Sequence, residues 1–236
     1  MNKICINEFT LAEDDTRTVT FYNVRKIAFT LAEVLVTLGI IGVVSAMTVP
    51  SLMQNHQRKT YVTQLHKVYN EFSQALFQYQ NDKNAVNLTE AGFYDINNID
   101  AFMKKYFRIV KDCGTDGTDC FGSNYKKIDG SSISIVLNGT DCGNYVLSSG
   151  ASIGINKTGQ VHVDINGKAG PNIVGRDIFA LKIYNDGTID EYCKKTPCTT
   201  DERENSFNNN CAKDTGANYW WGCFGKILND GWEMTY

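Results

Sequence analysis

The chain has 236 residues, a formal net charge of -3 and 42% hydrophobic residues. This length and apolar content suffice for one or two domains with a sizeable core, and they exclude a disordered polyelectrolyte and a strongly basic nucleic-acid-binding domain. With 20 Gly and only 3 Pro, the composition also excludes a collagen-like chain.

The first structural element is a long apolar segment near the N-terminus. Residues 29–49 contain a single ionisable side chain, that of Glu33. A helix over this segment is roughly 30 Å long, about the thickness of a bilayer core. Arg25 and Lys26 precede the segment and the region after it is net acidic, which predicts a single-pass membrane protein with a cytoplasmic N-terminus and an exported head. A secretory signal peptide is the alternative, but the segment is too long for one.

Glu33 is the unusual residue of this segment. A carboxylate inside a membrane costs a few kcal/mol, so it requires either a partner or a function. The simpler interpretation is that its side chain reaches the nearby membrane surface, where the cost is small.

The residues at the start of the segment read Lys26-Ile27-Ala28-Phe29-Thr30-Leu31-Ala32-Glu33. This pattern resembles the processing site of type IV pilins and of type II secretion pseudopilins, in which a small residue precedes Phe-Thr-Leu-x-Glu and an apolar helix. The resemblance implies that a prepilin peptidase cleaves after Ala28, where the family usually has Gly, and removes a cytoplasmic leader, residues 1–28. Phe29 then becomes an N-methylated N-terminus, and its amine pairs with Glu33 of a neighbouring subunit in the filament.

The same resemblance covers further positions on the helix. Gly39 and Gly42 allow close helix packing, and Pro50 lies where the family often has a kink-forming proline. The implied partners are like subunits or related pilins, the prepilin peptidase, an assembly platform protein, an assembly ATPase and membrane lipid, whereas nucleic acid is not expected. The implied location is a bacterial inner membrane, and then a pilus, a secretion pseudopilus or the cell surface.

After Pro50 the apolar residues recur at steps of three and four, which predicts an amphipathic helix that continues the membrane segment. The residues of this stripe are Tyr61, Val62, Leu65, Val68, Tyr69, Phe72, Leu76 and Tyr79. Together the two parts form a predicted spine helix over residues 29–83, ending near Asn81 to Asn84.

The remaining residues, 84–236, are predicted to form a β-rich head. Short runs rich in Ile and Val, separated by Gly-containing turns, indicate an antiparallel sheet of hairpins. The predicted strands are 132–137, 145–149, 151–156, 160–165 and 178–184. A short helix is expected over 100–110, a surface loop over 205–210, and a strand, a turn and a final strand over 222–236. The predicted fold class is therefore α+β, with a long helix and an antiparallel head.

Seven of the 8 cysteines follow the apolar segment, which favours disulfides in an oxidising compartment over a zinc site. Many connectivities are open. Nearest-neighbour pairing joins Cys113 to Cys120, Cys193 to Cys198 and Cys211 to Cys223, and leaves Cys142. The pilin resemblance also implies a C-terminal loop closed by Cys211 and Cys223.

No catalytic constellation passes its structural test, because the G-x-S-x-G pattern of residues 150–154 continues into a strand instead of a helix. No cofactor is expected. Asp164, Asn166 and Asp177 could supply oxygen ligands for calcium, but a rigid Asx-type turn is the preferred interpretation. Two other functions stay open: a minor subunit whose head binds a secreted substrate or DNA, and a membrane-anchored domain that does not polymerise.

Overall fold

The computed structural model describes residues 30–134, 139–212 and 220–236. It divides the chain into two compact units, one ending at Thr48 and the other comprising Val49–Tyr236. Helix α1 (Leu31–Lys83) begins in the first unit and ends in the second. The protein is therefore α+β, as expected, and α1 ends within the predicted range.

The second unit continues after α1 with strands and short helices. In chain order these are α2 (Ile96–Tyr106), β1 (Ile109–Gly114), a 3-10 turn (Gly117–Asp119), β2 (Tyr125–Lys126), β3 (Ser132–Ile133), β4 (Cys142–Leu147), β5 (Ser152–Asn156), β6 (Gln160–Asp164), β7 (Ile178–Ile183), β8 (Ile189–Asp190), α3 (Thr200–Ser206), a π turn (Phe207–Cys211) and α4 (Cys223–Asn229). Part of the predicted 132–137 strand lies outside the described residues, and its described part begins with β3.

Among the described residues, six strands form one antiparallel sheet in the order β1-β4-β5-β6-β7-β8, and β2 pairs with β3 separately. The hairpin neighbours β4 to β7 were predicted from their Ile and Val runs and their Gly turns. Their register places Tyr145 opposite Ile153, Ile153 opposite Val163, and Val163 opposite Phe179. All four side chains are buried, so this row of cross-strand neighbours lies on the core face of the sheet.

The second part of α1 packs into the core of the head. Its buried side chains follow the predicted stripe and are Val62, Leu65, Val68, Phe72, Ala75, Leu76 and Tyr79. The ring centroid of Phe72 lies 4.5 Å from that of Phe107, and the Tyr79 hydroxyl donates to the Ala91 carbonyl at 3.0 Å. The amphipathic part of the helix thus supplies one wall of the hydrophobic core.

The helix expected over 100–110 begins earlier and ends earlier than predicted. Asp95 caps α2 by accepting from the backbone N–H of Asn97 at 2.9 Å, and Phe107 already has an extended backbone. Ile109 therefore belongs to β1, which pairs with β4. The prediction counted Ile109 on the helical face because its spacing from Tyr106 fits both a helix and the start of a strand.

The loop expected over 205–210 is also wrong. Residues 200–211 form α3 and the π turn. Thr199 and Glu202 form a capping box, in which Thr199 Oγ1 accepts from the Glu202 N–H at 3.1 Å and Glu202 Oε2 accepts from the Thr199 N–H at 2.9 Å. This pair satisfies backbone donors that would otherwise lack partners at the helix start.

The two predicted C-terminal strands are wrong as well, because Cys223–Asn229 is helix α4 and the described residues 233–236 form no strand, whereas the predicted turn at Asp230 and Gly231 is present. Phe224 and Ile227 lie three residues apart and are both buried, so burial favours a helix over an alternating strand. Gly222 precedes the helix with a φ of 94°. A Cβ at this position would lie 2.4 Å from the Ser206 carbonyl oxygen, so glycine is required for this approach.

The packing of α1 predicts different outcomes for two adjacent residues. Leu76 has no exposed surface, whereas Phe77 is 65% exposed. We expect Leu76→Ala to lower the free energy of unfolding by about 2–5 kcal/mol, because it removes buried contacts and leaves a cavity. Phe77→Ala, the matched control, should change it by less than about 1 kcal/mol. Urea unfolding of the full chain in detergent, followed by tryptophan fluorescence, measures both, and equal losses would contradict this packing.

Candidate functional site

The first part of α1 is apolar on every side. All side chains from Leu31 to Thr48 are exposed, with values such as 78% for Leu31 and 60% for Leu38. Within the described part of the chain, α1 is the one helix long and apolar enough to cross a membrane. Such a surface requires lipid or another apolar surface to cover it.

The side chain of Glu33 caps the N-terminal end of this helix. Its Oε2 accepts from the Thr30 N–H at 2.8 Å and from the Thr30 hydroxyl at 2.9 Å. Thr30 Oγ1 in turn accepts from the Glu33 N–H at 3.2 Å. The two residues therefore form a capping box. The sequence signature of a capping box is Thr-x-x-Glu before an apolar run. From the sequence we considered only a partner for Glu33 or a side chain that reaches the membrane surface, and we did not predict this cap.

The predicted assembly positions lie on the open surface of the helix. A Cβ added at Gly39 or Gly42 would meet no atom within 4 Å, so both glycines leave room on the helix surface for another helix. Pro50 lies inside α1, and the helix continues past it to Lys83. The kink at Pro50 stays a prediction. The leader 1–28, Ala28 and Phe29 lie outside the described residues.

Among the described residues, three disulfide bonds cross-link the head. They join Cys113 to Cys120, Cys193 to Cys198 and Cys211 to Cys223, which are the nearest-neighbour pairs. The Cys211–Cys223 bond connects the end of the π turn to the start of α4. It lies against Gly175, where a Cβ would be 2.5 Å from the Cys223 sulfur. Cys142, the remaining cysteine after the apolar segment, is buried at the start of β4.

The structure brings Asp164 and Asp177 together near the end of β6, and both carboxylates are fully buried. Asp177 accepts from the backbone N–H groups of Asn172 at 2.7 Å and Ile173 at 2.6 Å. Asp164 Oδ2 accepts from the Tyr125 hydroxyl at 2.6 Å. The carboxylate oxygens are thus already used to hold loop backbone and a tyrosine.

Asn166 completes this cluster as part of a turn. Its backbone N–H donates to Asp164 Oδ1 at 3.3 Å, and its Nδ2 donates to the Gly170 carbonyl at 3.1 Å. Hydrogen bonding from a residue two positions on defines an Asx turn. In the described ranges no group of three or more His, Cys, Asp or Glu residues has metal-binding geometry. The two hydrogen bonds of Asn166 favour the Asx-turn interpretation over calcium.

Burial has a clear electrostatic effect on these groups. It raises the pKa of Asp164 to about 7, although the hydrogen bond from Tyr125 opposes the shift. Burial also raises the pKa of Asp177, against the backbone hydrogen bonds that it accepts. The nearby Asp177 charge contributes to the shift at Asp164. Desolvation therefore outweighs hydrogen bonding at both carboxyl groups.

A further buried acid, Glu191, was not predicted. Its Oε2 accepts from the Gly225 N–H at 2.9 Å and its Oε1 from the Tyr192 N–H at 3.1 Å. Burial raises the pKa of Glu191 to about 7. The adjacent Asp190 is held instead by the Arg203 guanidinium, with Nε and Nη2 at 2.9 and 2.7 Å from its two oxygens. Two adjacent acids after a turn are usually exposed, so the sequence carries no signal for this burial.

Comparison with protein-family models, with curated protein sequences and with solved structures finds no match. The function of the chain is therefore inferred from its own residues and geometry.

The raised pKa of Asp164 predicts a pH dependence of stability. The folded state holds this proton up to about pH 7, whereas an unfolded aspartate loses it near pH 4. The stabilisation is therefore complete below about pH 4 and is lost as the pH rises to about 7. We expect the wild-type unfolding free energy to fall between about pH 4 and pH 7, and Asp164→Asn to show a shallower slope.

Urea unfolding at several pH values in this range measures the slope. Asp186→Asn is the matched control, because Asp186 caps an exposed turn by accepting from the Thr188 N–H. This control should keep the wild-type slope. A wild-type slope in Asp164→Asn as well would contradict the buried, protonated state.

Proposed function

We propose that the chain is a pilin-like structural subunit that is assembled through α1 into a type IV pilus or a type II secretion pseudopilus. The observation that carries this proposal is the division of one 53-residue helix into two parts. The first part is apolar and exposed all round, and the second part is buried on one face against a disulfide-bonded antiparallel head. No catalytic step is part of the proposed function.

The exposed apolar surface supports this function because it must be covered in every state of the protein. Before assembly, the lipid of a bacterial inner membrane would surround the segment, with the head outside the cytoplasm. In a filament, the same segments of other subunits would surround it. Burial of apolar surface provides a favourable free energy in both states, so one helix can serve as anchor and as filament core.

Glu33 supports a defined register in that core. Among the described residues, the hydrogen bonds of the capping box use Oε2 of its carboxylate, so the box itself does not need Oε1, which could accept from a donor of another subunit. A carboxylate in an apolar core is strongly stabilised by a positive partner. The N-methylated amine of Phe29 from a neighbouring subunit is that partner, once a prepilin peptidase has cleaved the Ala28–Phe29 bond. A platform protein and an ATPase would drive assembly.

The cleavage step predicts a defined N-terminus. Mass spectrometry of the N-terminal peptide, from membrane or sheared-filament fractions, should find a peptide that begins at N-methylated Phe29. Ala28→Leu should block cleavage, because the peptidase requires a small residue there, whereas Ala28→Gly should be cleaved like wild type. A mature wild-type chain that retains residues 1–28 would contradict the proposed function.

The pairing step can be separated from helix capping with two variants. Glu33→Gln keeps a capping box but removes the charge, whereas Thr30→Ala removes the box and keeps the charge. We expect Glu33→Gln to insert normally and to reduce the assembled fraction by more than about tenfold, since it leaves a buried amine without its partner. Thr30→Ala should assemble to within a few-fold of wild type.

Shearing of filaments, followed by immunoblotting of filament and membrane fractions, measures the assembled fraction. Normal assembly of Glu33→Gln would contradict the pairing. Loss of assembly in Thr30→Ala alone would show that the cap, and not the charge, is the contribution of Glu33.

A further inference from the structure

A cleft of about 590 Å³ lies in the second unit, between α1 and the C-terminal residues of the head. Arg58, Lys59 and His66 line it from the helix, and Trp232 lines it from the opposite side. Val62 and Met234 form its buried apolar wall. The cleft belongs neither to the proposed filament core nor to the carboxylate cluster of the head.

The charge of the cleft is positive. Arg58 is half-buried and Lys59 is exposed, and within the described ranges neither residue forms an ion pair. The acidic residue of the lining, Glu233, is exposed. Two cations beside one exposed carboxylate favour an anionic ligand.

An aromatic platform forms the side of the cleft next to these cations. The rings of His66 and Trp232 stack with centroids 3.9 Å apart and an interplanar angle of 13°. Tyr69 supports the indole edge-on, with centroids 5.0 Å apart. This side of the cleft is therefore formed by packed aromatic rings, which suit the carbon skeleton of a ligand more than a free inorganic ion.

The position of the cleft on α1 indicates where that ligand lies. Leu52 and Met53 are the last apolar residues of α1 before the polar residues 54–60. They are 72% and 58% exposed. Arg58 comes nine residues after Val49, the end of the apolar segment, which is about 13.5 Å along a helix. The headgroup layer extends roughly 5–8 Å beyond the hydrocarbon core. Side chains on a helix tilt toward its N-terminus. If the apolar part of α1 lies in a membrane, the long side chains of Arg58 and Lys59 therefore extend back toward the lipid phosphates.

We propose that this cleft binds the headgroup of an anionic phospholipid. Arg58 and Lys59 contact the phosphate, and the His66–Trp232 platform with Val62 and Met234 packs against the glycerol and the first methylene groups. The exposed Leu52 and Met53 continue this surface toward the acyl chains. The lipid would hold the base of the head against the membrane before the subunit enters a filament.

This inference rests on the membrane anchorage in the proposed function but not on polymerisation. The test uses the full chain, purified in a mild detergent with equal amounts of phosphatidylglycerol and phosphatidylcholine. Native mass spectrometry then counts the lipids retained by each protein molecule. We expect wild type to retain phosphatidylglycerol in clear excess, and Arg58→Gln/Lys59→Gln to reduce that excess roughly tenfold, since each cation near a lipid surface contributes to the attraction.

The matched control is Lys194→Gln/Lys195→Gln, which removes two exposed charges from the disulfide-closed loop elsewhere on the head. This control should retain lipid like wild type. Arg58→Lys keeps the charge and should also retain the preference. If the double variant does not fold, Lys59→Gln at its exposed position should still lower the excess measurably.

Three results would overturn the proposal. Equal retention by wild type and by the folded cleft variants would show that the cleft does not bind the lipid. Complete displacement of phosphatidylglycerol by millimolar inorganic phosphate would indicate a site for free phosphate. If the folded cleft variants retain as much lipid as wild type but no longer self-associate, the cleft is a contact between copies of this chain. Failure of the full chain to insert into liposomes would instead remove the membrane anchorage itself.

Discussion

The structure depends on one constraint: a single helix has to suit two different surroundings along its length. From Leu31 to Thr48 its side chains are mostly apolar and all are exposed, so no face of that part is fitted to a protein core. From Val62 onward one stripe is buried, and the opposite face is rich in polar side chains. The change from one pattern to the other occurs within a few turns after Pro50.

The head is organised around that stripe. Leu65 and Leu76 have no exposed surface, and the core face of the sheet presents Tyr145, Ile153 and Val163. A small sheet with one apolar face needs a covering layer to be stable. The second part of α1 belongs to that layer, so the helix and the sheet form one core instead of two.

The regular parts of this fold could be predicted from the sequence because their patterns are local. The period of α1, the hairpins of β4 to β7 and the nearest-neighbour disulfides all derive from residue spacing. The short helix α4 could not be predicted, because seven residues carry too little periodicity and its stability comes from burial and from the Cys211–Cys223 bond. Residue patterns also do not show that Asp164 and Glu191 are buried, since the same letters occur more often on surfaces.

These buried carboxylates share one structural task. Asp164, Asp177 and Glu191 each accept backbone N–H groups that lie outside the sheet, in loops for the two aspartates and in the first turn of α4 for Glu191. Irregular backbone inside a protein needs such acceptors, because unpaired N–H groups are costly there. The raised pKa values record the desolvation that accompanies this arrangement.

The capping box at the start of α1 makes that end of the helix self-contained. Both residues of the box, Thr30 and Glu33, lie on the C-terminal side of the Ala28–Phe29 bond. The hydrogen bonds of the box therefore require no residue before Thr30, and cutting the chain upstream removes none of them. If the proposed cleavage takes place, the precursor and the shortened chain would present the same helix end, and the cut would change the charge at the terminus without refolding the helix.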